Sequence, residues 1–165
     1  MENLWAPWRL EYVKSADRTN EEGCIFCDLP ADDPENDRKN LIVHRGAKCF
    51  VILNKFPYNG GHLMIVPYQH TNRFDDLSPE EKLELMDLLQ KCMSVFEQTF
   101  APHGYNIGMN LGRPAGAGIT YHLHFHLVPR WTGDTNFMPV VGDTKIMSVG
   151  LDEVWDQLHG HFGNE

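Results

Sequence analysis

Positive charge is scarce in this chain and nowhere concentrated. Fourteen Lys and Arg stand against 23 Asp and Glu, a formal net charge of −9 at pH 7. Neutralising a nucleic-acid backbone or an anionic membrane surface takes clustered cations, and no Lys/Arg-rich run is present. Nucleic acid and membrane are therefore not expected as partners. One small phosphorylated ligand remains compatible, because histidines, amides and backbone N–H groups suffice to hold it. No uncharged apolar stretch approaches the ~20 residues of a membrane span. The N-terminus also lacks the basic, apolar, small-residue order of a secretory signal. The expectation is a soluble, cytoplasmic chain. Cysteine is sparse as well, at four residues. Cys24 and Cys27 form C-x-x-C, whereas Cys49 and Cys92 sit alone in apolar patterns and read as core filling. Internal repeats and low-complexity tracts are missing too.

At 165 residues, the chain has room for one domain with a sizeable core, or a domain with terminal arms. Residues 3–13 place two tryptophans and a tyrosine around a proline. So much aromatic surface calls for burial, against this domain or a second subunit. Residues 31–40, polar and holding Pro34, read as a solvated loop. Leu41–Val43 and Cys49–Leu53 flank a turn at Arg45–Gly46 and read as a β-hairpin. A loop follows over residues 54–61, then a strand over His62–Pro67. Ser78-Pro79-Glu80-Glu81 carries the signals of a capped helix start, and Leu85, Met86, Leu89, Met93, Phe96 and Phe100 continue it as one apolar stripe to about Pro102. Tyr105–Leu111 reads as a fourth strand and Arg113–Gly118 as a glycine-rich loop. Strands, one long helix and more strands indicate an α+β fold with a largely antiparallel sheet.

The stretch with most chemistry is Tyr121–Pro129, Y-H-L-H-F-H-L-V-P. As a strand it would put His122, His124, His126 and Val128 on one face and Tyr121, Leu123, Phe125 and Leu127 on the other. An apolar face wants a core. Three alternating imidazoles are hard to explain by packing, since each buried ring needs a partner. Same-face residues stand roughly 6.5–7 Å apart, so one small ion could not take all three. A row of groups laid along a charged ligand fits better, with histidine available as nucleophile, acid or base. A metal held by H-x-H is the second option. Cys24-x-x-Cys27 suits a redox pair or half a zinc site. A thioredoxin-like setting is absent, and a zinc site would need two further ligands, for which His70 and His122 are candidates.

H-L-H-F-H-L-V at 122–128 resembles the signature of the histidine triad (HIT) superfamily, His-φ-His-φ-His-φ-φ with φ apolar. L-N-K-F-P-Y-N-G-G-H-L-M-I-V-P at 53–67 resembles the family's nucleoside-binding strand, loop and strand, and C-I-F-C at 24–27 with His70 resembles its zinc ligands. N-L-W-A-P-W-R-L and P-R-W-T-G-D-T-N-F are similar to the bacterial branch that includes diadenosine tetraphosphate (Ap4A) phosphorylases. The resemblance covers residues 3–140. It implies a HIT-like α+β fold: a mainly antiparallel sheet of about five strands, one long helix and a shorter helical element. It implies a single domain over 1–140 with an N-terminal arm and zinc knuckle, residues 141–165 packing on that domain or a partner subunit, and a homodimer.

Carried over by position, His124 would be the nucleophile toward the α-phosphorus of a nucleotide, and His126 would contact the phosphate and leaving group. Cys24, Cys27, His70 and His122 would hold one structural Zn2+ per chain, with no organic cofactor. Asn54 would hold ribose hydroxyls and Asn110 would lie near the phosphates. Ala117, Gly118, Ile119 and Thr120 would form the phosphate loop, with His62 in support. The implied substrate is a purine nucleotide or dinucleoside polyphosphate such as Ap4A, with phosphorolysis slightly ahead of hydrolysis. Nucleoside phosphoramidate hydrolysis and a zinc-stabilised nucleotide-binding module with little turnover are the alternatives. One departure stands out: many members carry G-Q-[ST] before the triad, whereas this chain reads G-A-G-I-T over 116–120.

Overall fold

The computed structural model describes residues 23–135, 137, 141–142 and 149–162; the aromatic segment 3–13 lies outside them. Five strands form one antiparallel sheet in the order β1-β2-β3-β5-β4. They are β1 (Ile42–Arg45), β2 (Cys49–Leu53), β3 (Leu63–Pro67), β4 (Gly104–Gly108) and β5 (Phe125–Arg130). The central strands are apolar throughout because both faces are covered. Cys49, Val51, Leu53, Leu63, Ile65 and Leu127 point into one core, and Phe50, Ile52, Met64 and Val66 into a second on the opposite face. Period-two alternation thus sorts two kinds of apolar residue rather than apolar from polar.

Helix α3 (Pro79–Thr99) covers the first face. The Ser78 hydroxyl accepts from Glu81 N–H at 3.2 Å, and Glu81 Oε2 accepts from Ser78 N–H at 2.7 Å, completing the capping box. The buried stripe is Leu85, Leu88, Leu89, Cys92, Val95 and Phe96. It is turned about one position from the stripe read in the sequence, leaving Met86 44% exposed. The chain then leaves the helix through Ala101, at a φ of 42°.

Helix α4 (Leu151–Phe162) lies on the same face and gives Val154, Trp155, Leu158 and Phe162 to that core. Trp155 Nε1–H donates to the Ile42 carbonyl at 2.7 Å, so its one polar atom is satisfied. Arg38 and Asp156 add a bidentate but exposed ion pair, a small contribution. The opposite face is partly covered by α1 (Ile25–Ala31), which begins inside the C-x-x-C and buries Phe26 completely.

Several boundaries differ from the sequence reading: β1 runs on to Arg45, through one residue of the expected turn, and β3 starts at Leu63 rather than His62. Residues 31–40 are not a plain loop: a 3-10 turn (Pro34–Asn36) and α2 (Asp37–Asn40) occupy much of them. Arg45 pins that segment by donating to Asp37 and to the Pro30 carbonyl. β4 ends at Gly108, short of Leu111. β5 begins only at Phe125, so His122 and His124 precede the strand. Side chains and carbonyls elsewhere take the ladder's place there: Leu123 N–H donates to the Thr71 carbonyl at 2.7 Å.

Candidate active site and metal cluster

The second core ends at the histidines. His126 pairs with Met64 in the β3–β5 ladder. His122 and His124 arrive from the irregular segment before β5, yet all three rings are buried. His62 immediately precedes β3, is also fully buried, and faces His126. Gly61 makes that approach possible. Its φ is +76°, and a Cβ there would meet Phe96 at 3.0 Å and Pro129 at 3.3 Å, so strain and space both require glycine.

Hydrogen bonds fix the proton on each ring. The Tyr58 backbone N–H lies 3.0 Å from His62 Nδ1 and can only donate, so Nδ1 accepts. The Asn54 side-chain amide approaches the same nitrogen at 3.3 Å. His62 therefore carries its proton on Nε2 and gives it to His126 Nδ1 at 2.9 Å. That in turn puts the His126 proton on Nε2, a buried atom with no hydrogen-bond partner. An orphaned buried donor is costly and rare; here it points to a missing acceptor. His124 is set the other way. Its Nδ1–H donates to the His122 carbonyl at 2.9 Å, leaving the Nε2 lone pair available. The two rings stand edge to face, 4.9 Å between centroids. A lone pair and an unmatched N–H are thus brought side by side.

Burial holds these rings neutral. It lowers the pKa of His124, against the His122 carbonyl bond that raises it. It pushes His126 down to about 4, helped by His124. Neutral imidazole is the form that can attack an electrophile.

His122 faces away from this pair. Its Nε2–H donates to the Pro67 carbonyl at 2.8 Å, so the Nδ1 lone pair looks toward the C-x-x-C. Cys24 Sγ is 3.4 Å and Cys27 Sγ 3.6 Å from that Nδ1, and Cys27 Sγ is 3.3 Å from His70 Nδ1. The four ligand atoms lie within 4.8 Å of one another. Tetrahedral zinc with ordinary Zn–S and Zn–N bonds puts S and N ~3.5 Å apart, so spacing and donor chemistry both fit. Burial and the neighbouring Cys24 thiol push Cys27 up to about 11. The cluster can bind a metal ion.

One side chain joins cluster and histidines. Phe26, between the two cysteines, lies 5.6 Å from the His122 ring and 5.1 Å from the His124 ring, centroid to centroid. Sequence reading gave it no part, although an aromatic inside C-x-x-C could have prompted the question. It also missed Tyr58, Asn59 and Asp134, whose contribution is one of hydrogen bonding that a motif does not display.

The other sequence candidates fall around this centre. Asn54 is buried, its Oδ1 accepting from Phe56 N–H at 2.9 Å. In the loop before the triad Ala117 is buried, Gly118 and Thr120 are half-buried, and Ile119 packs on the second core. Asn110 is half-buried beyond the end of β4.

A family model described as "HIT domain" matches residues 35–133. A protein of Mycobacterium tuberculosis named AP-4-A phosphorylase is 38% identical over 153 residues, covering 89% of this chain and 77% of that one. An uncharacterized HIT-like protein of Methanocaldococcus jannaschii is 32% identical, covering 83% of this chain and 99% of its own. Among solved structures, a Zn-bound histidine triad family protein from Mycobacterium smegmatis matches with a TM-score of 0.64 at 23% identity, covering 84% of this chain and 92% of that one.

Proposed function

Because the chain belongs to the HIT domain family and is an enzyme of it, we propose that it cleaves nucleoside 5′-phosphoanhydrides through a nucleotidyl-histidine intermediate on His124. The observation that carries this reading is the pairing of a His124 ring locked with its proton on Nδ1 and a His126 Nε2–H without a partner. The His124 Nε2 lone pair forms a bond to the α-phosphorus. The bond from that phosphorus to the bridging oxygen breaks, its electrons leaving with the oxygen, which the His126 Nε2–H meets. The His122 carbonyl stabilises the positive charge the substituted His124 ring acquires. Phosphate or water then attacks the same phosphorus and restores His124, so one hard displacement becomes two easier ones.

The substrate we favour is a dinucleoside polyphosphate such as Ap4A, with phosphorolysis slightly ahead, supported by the likeness to a protein named AP-4-A phosphorylase. Asn54, Asn110 and residues 117–120 would bind the ribose and phosphates. Cys24, Cys27, His70 and His122 would hold one structural zinc ion, which supplies folding energy and immobilises His122. Residues 1–140 would form the domain and 141–165 an extension, and the packing of α4 on the core supports docking onto its own chain. A cytoplasmic homodimer is the form we expect, the exposed Ile107 on edge strand β4 being consistent with a second copy.

Phosphorus NMR of Ap4A incubated with pure protein, with and without phosphate, tests the reading. ADP plus ATP, formed only with phosphate, marks a phosphorylase; AMP plus ATP without it marks an asymmetric hydrolase. His124→Asn should retain nucleotide affinity and lose turnover. No cleavage of Ap4A or of nucleoside phosphoramidates by the unaltered protein would overturn the proposal.

A further inference from the structure

Asp134 lies in the turn after β5, its side chain 10% exposed and surrounded by donors. Oδ2 accepts from Arg130 Nε at 2.7 Å, Asn59 Nδ2 at 2.9 Å and Trp131 N–H at 3.1 Å, and Oδ1 accepts from Arg130 Nη2 at 2.9 Å. The Arg130 bonds hold the carboxyl down to about 2, so it is charged in any working buffer. Arg130 also reaches Asn106 on β4 at 2.7 Å. Asn59 bonds the Pro129 carbonyl at 3.0 Å as well, and its own carbonyl accepts from His62 N–H at 3.2 Å. One carboxylate thus ties the end of β5 to the loop over residues 54–61.

The middle of that loop lies at the surface. Lys55, Phe56 and Tyr58 are exposed; the Tyr58 ring rests on His62 and His126, and the Asn59 hydrogen bonds set where its backbone sits relative to them. Yet it delivers the donor that decides the proton arrangement, the Tyr58 N–H on His62 Nδ1. Were that N–H to move away, the shorter of the two donors facing His62 Nδ1 would be gone, leaving the Asn54 amide at 3.3 Å and weaker opposition to a proton on that nitrogen. His62 Nε2 would then accept, His126 Nδ1 would have to donate, and His126 Nε2 would turn a lone pair toward the substrate. An anionic phosphate would meet repulsion where it now meets an N–H.

We propose that Asp134, acting through Asn59, is a positioning residue for the His62–His126 relay, holding the 54–61 loop where Tyr58 fixes the protons of both rings. The role rests on the reading above for its catalytic consequence, while the proton arrangement itself does not depend on it. Asp134 touches no reacting atom.

The test compares Asp134→Ala and Asn59→Ala with the unaltered protein and with Arg38→Ala, which removes the exposed pair with Asp156 on α2 and α4. Steady-state kinetics on Ap4A and long-range proton–nitrogen NMR of the histidine rings are read on the same samples. Misplacement of a relay element is expected to lower kcat by about tenfold or more, with KM within about threefold. His62 should pass from a single Nε2–H form to a mixture, and His126 with it. Arg38→Ala should change neither readout. Unchanged tautomers in both variants would overturn the proposal, whether kcat falls or only the melting temperature does. An unaltered protein inactive on Ap4A would end the functional reading instead, and the NMR arm would still decide the clamp.

Discussion

His62 Nε2 stands 2.9 Å from His126 Nδ1, and a single proton order fits both that contact and the Tyr58 N–H behind it. His62 is therefore more than core filling. His62→Ala should leave the His126 proton free to sit on either nitrogen, and a misassigned general acid costs about 10²-fold or more. Steady-state kinetics should show that loss in kcat with KM little moved. A variant with wild-type kcat would remove His62 from the relay.

Phe26 fills the space between the C-x-x-C and the His124 ring. Phe26→Ala should cost about 3–5 kcal/mol of stability, the usual consequence of emptying a fully buried aromatic site. Phe26→Leu refills most of the volume but offers no flat surface to His124. It should fold with a modest loss by urea denaturation while kcat falls more than stability alone explains. Equal kcat in Phe26→Leu and the unaltered chain would show that the ring only fills space.

Metal removal should act on the fold first. The ligands join α1 to residues 70 and 122, far apart in sequence, and a metal bound only by the folded state contributes its binding energy to folding. Strong chelation should lower the melting temperature, and His70→Ala should do the same while reducing metal content below one ion per chain. A chelated protein that melts as before would contradict the structural assignment.

The His126 pKa sets a pH dependence with a definite sign. Folding lowers it from the ordinary 6.5 to about 4. Between those values the unfolded chain binds more protons than the folded one, so stability rises with pH across this window and levels off above it. Urea midpoints between pH 4 and 8 should show a steeper acid-side loss for the unaltered protein than for His126→Gln. Parallel curves would refute a buried neutral His126.

What the sequence settled by itself was local chemistry and patterning. Ser78-Pro79-Glu80-Glu81 announces its helix because a capping box is complete within four residues. Short runs at 41–43, 49–53, 62–67, 105–111 and 121–129 announce five strands, and alternation alone places His126 and Leu127 on opposite faces. The C-x-x-C announces half a ligand set for the same reason: its members are neighbours in the chain. Hydrogen bonds between distant segments decided the rest. Whether a given imidazole nitrogen holds a proton depends on the Tyr58 N–H, the Pro67 carbonyl and the His122 carbonyl, and no spacing rule encodes them. The segment before Phe125 abandons the strand because its partners lie at Thr71 and Pro67 rather than along a ladder. Helix α4 joins the core through Trp155 and the Ile42 carbonyl, a contact across 113 positions. Sequence supplied the three imidazoles; tertiary hydrogen bonding put the proton on Nε2 of His122 and His126 and on Nδ1 of His124, and gave each ring a different partner and with it a different chemistry.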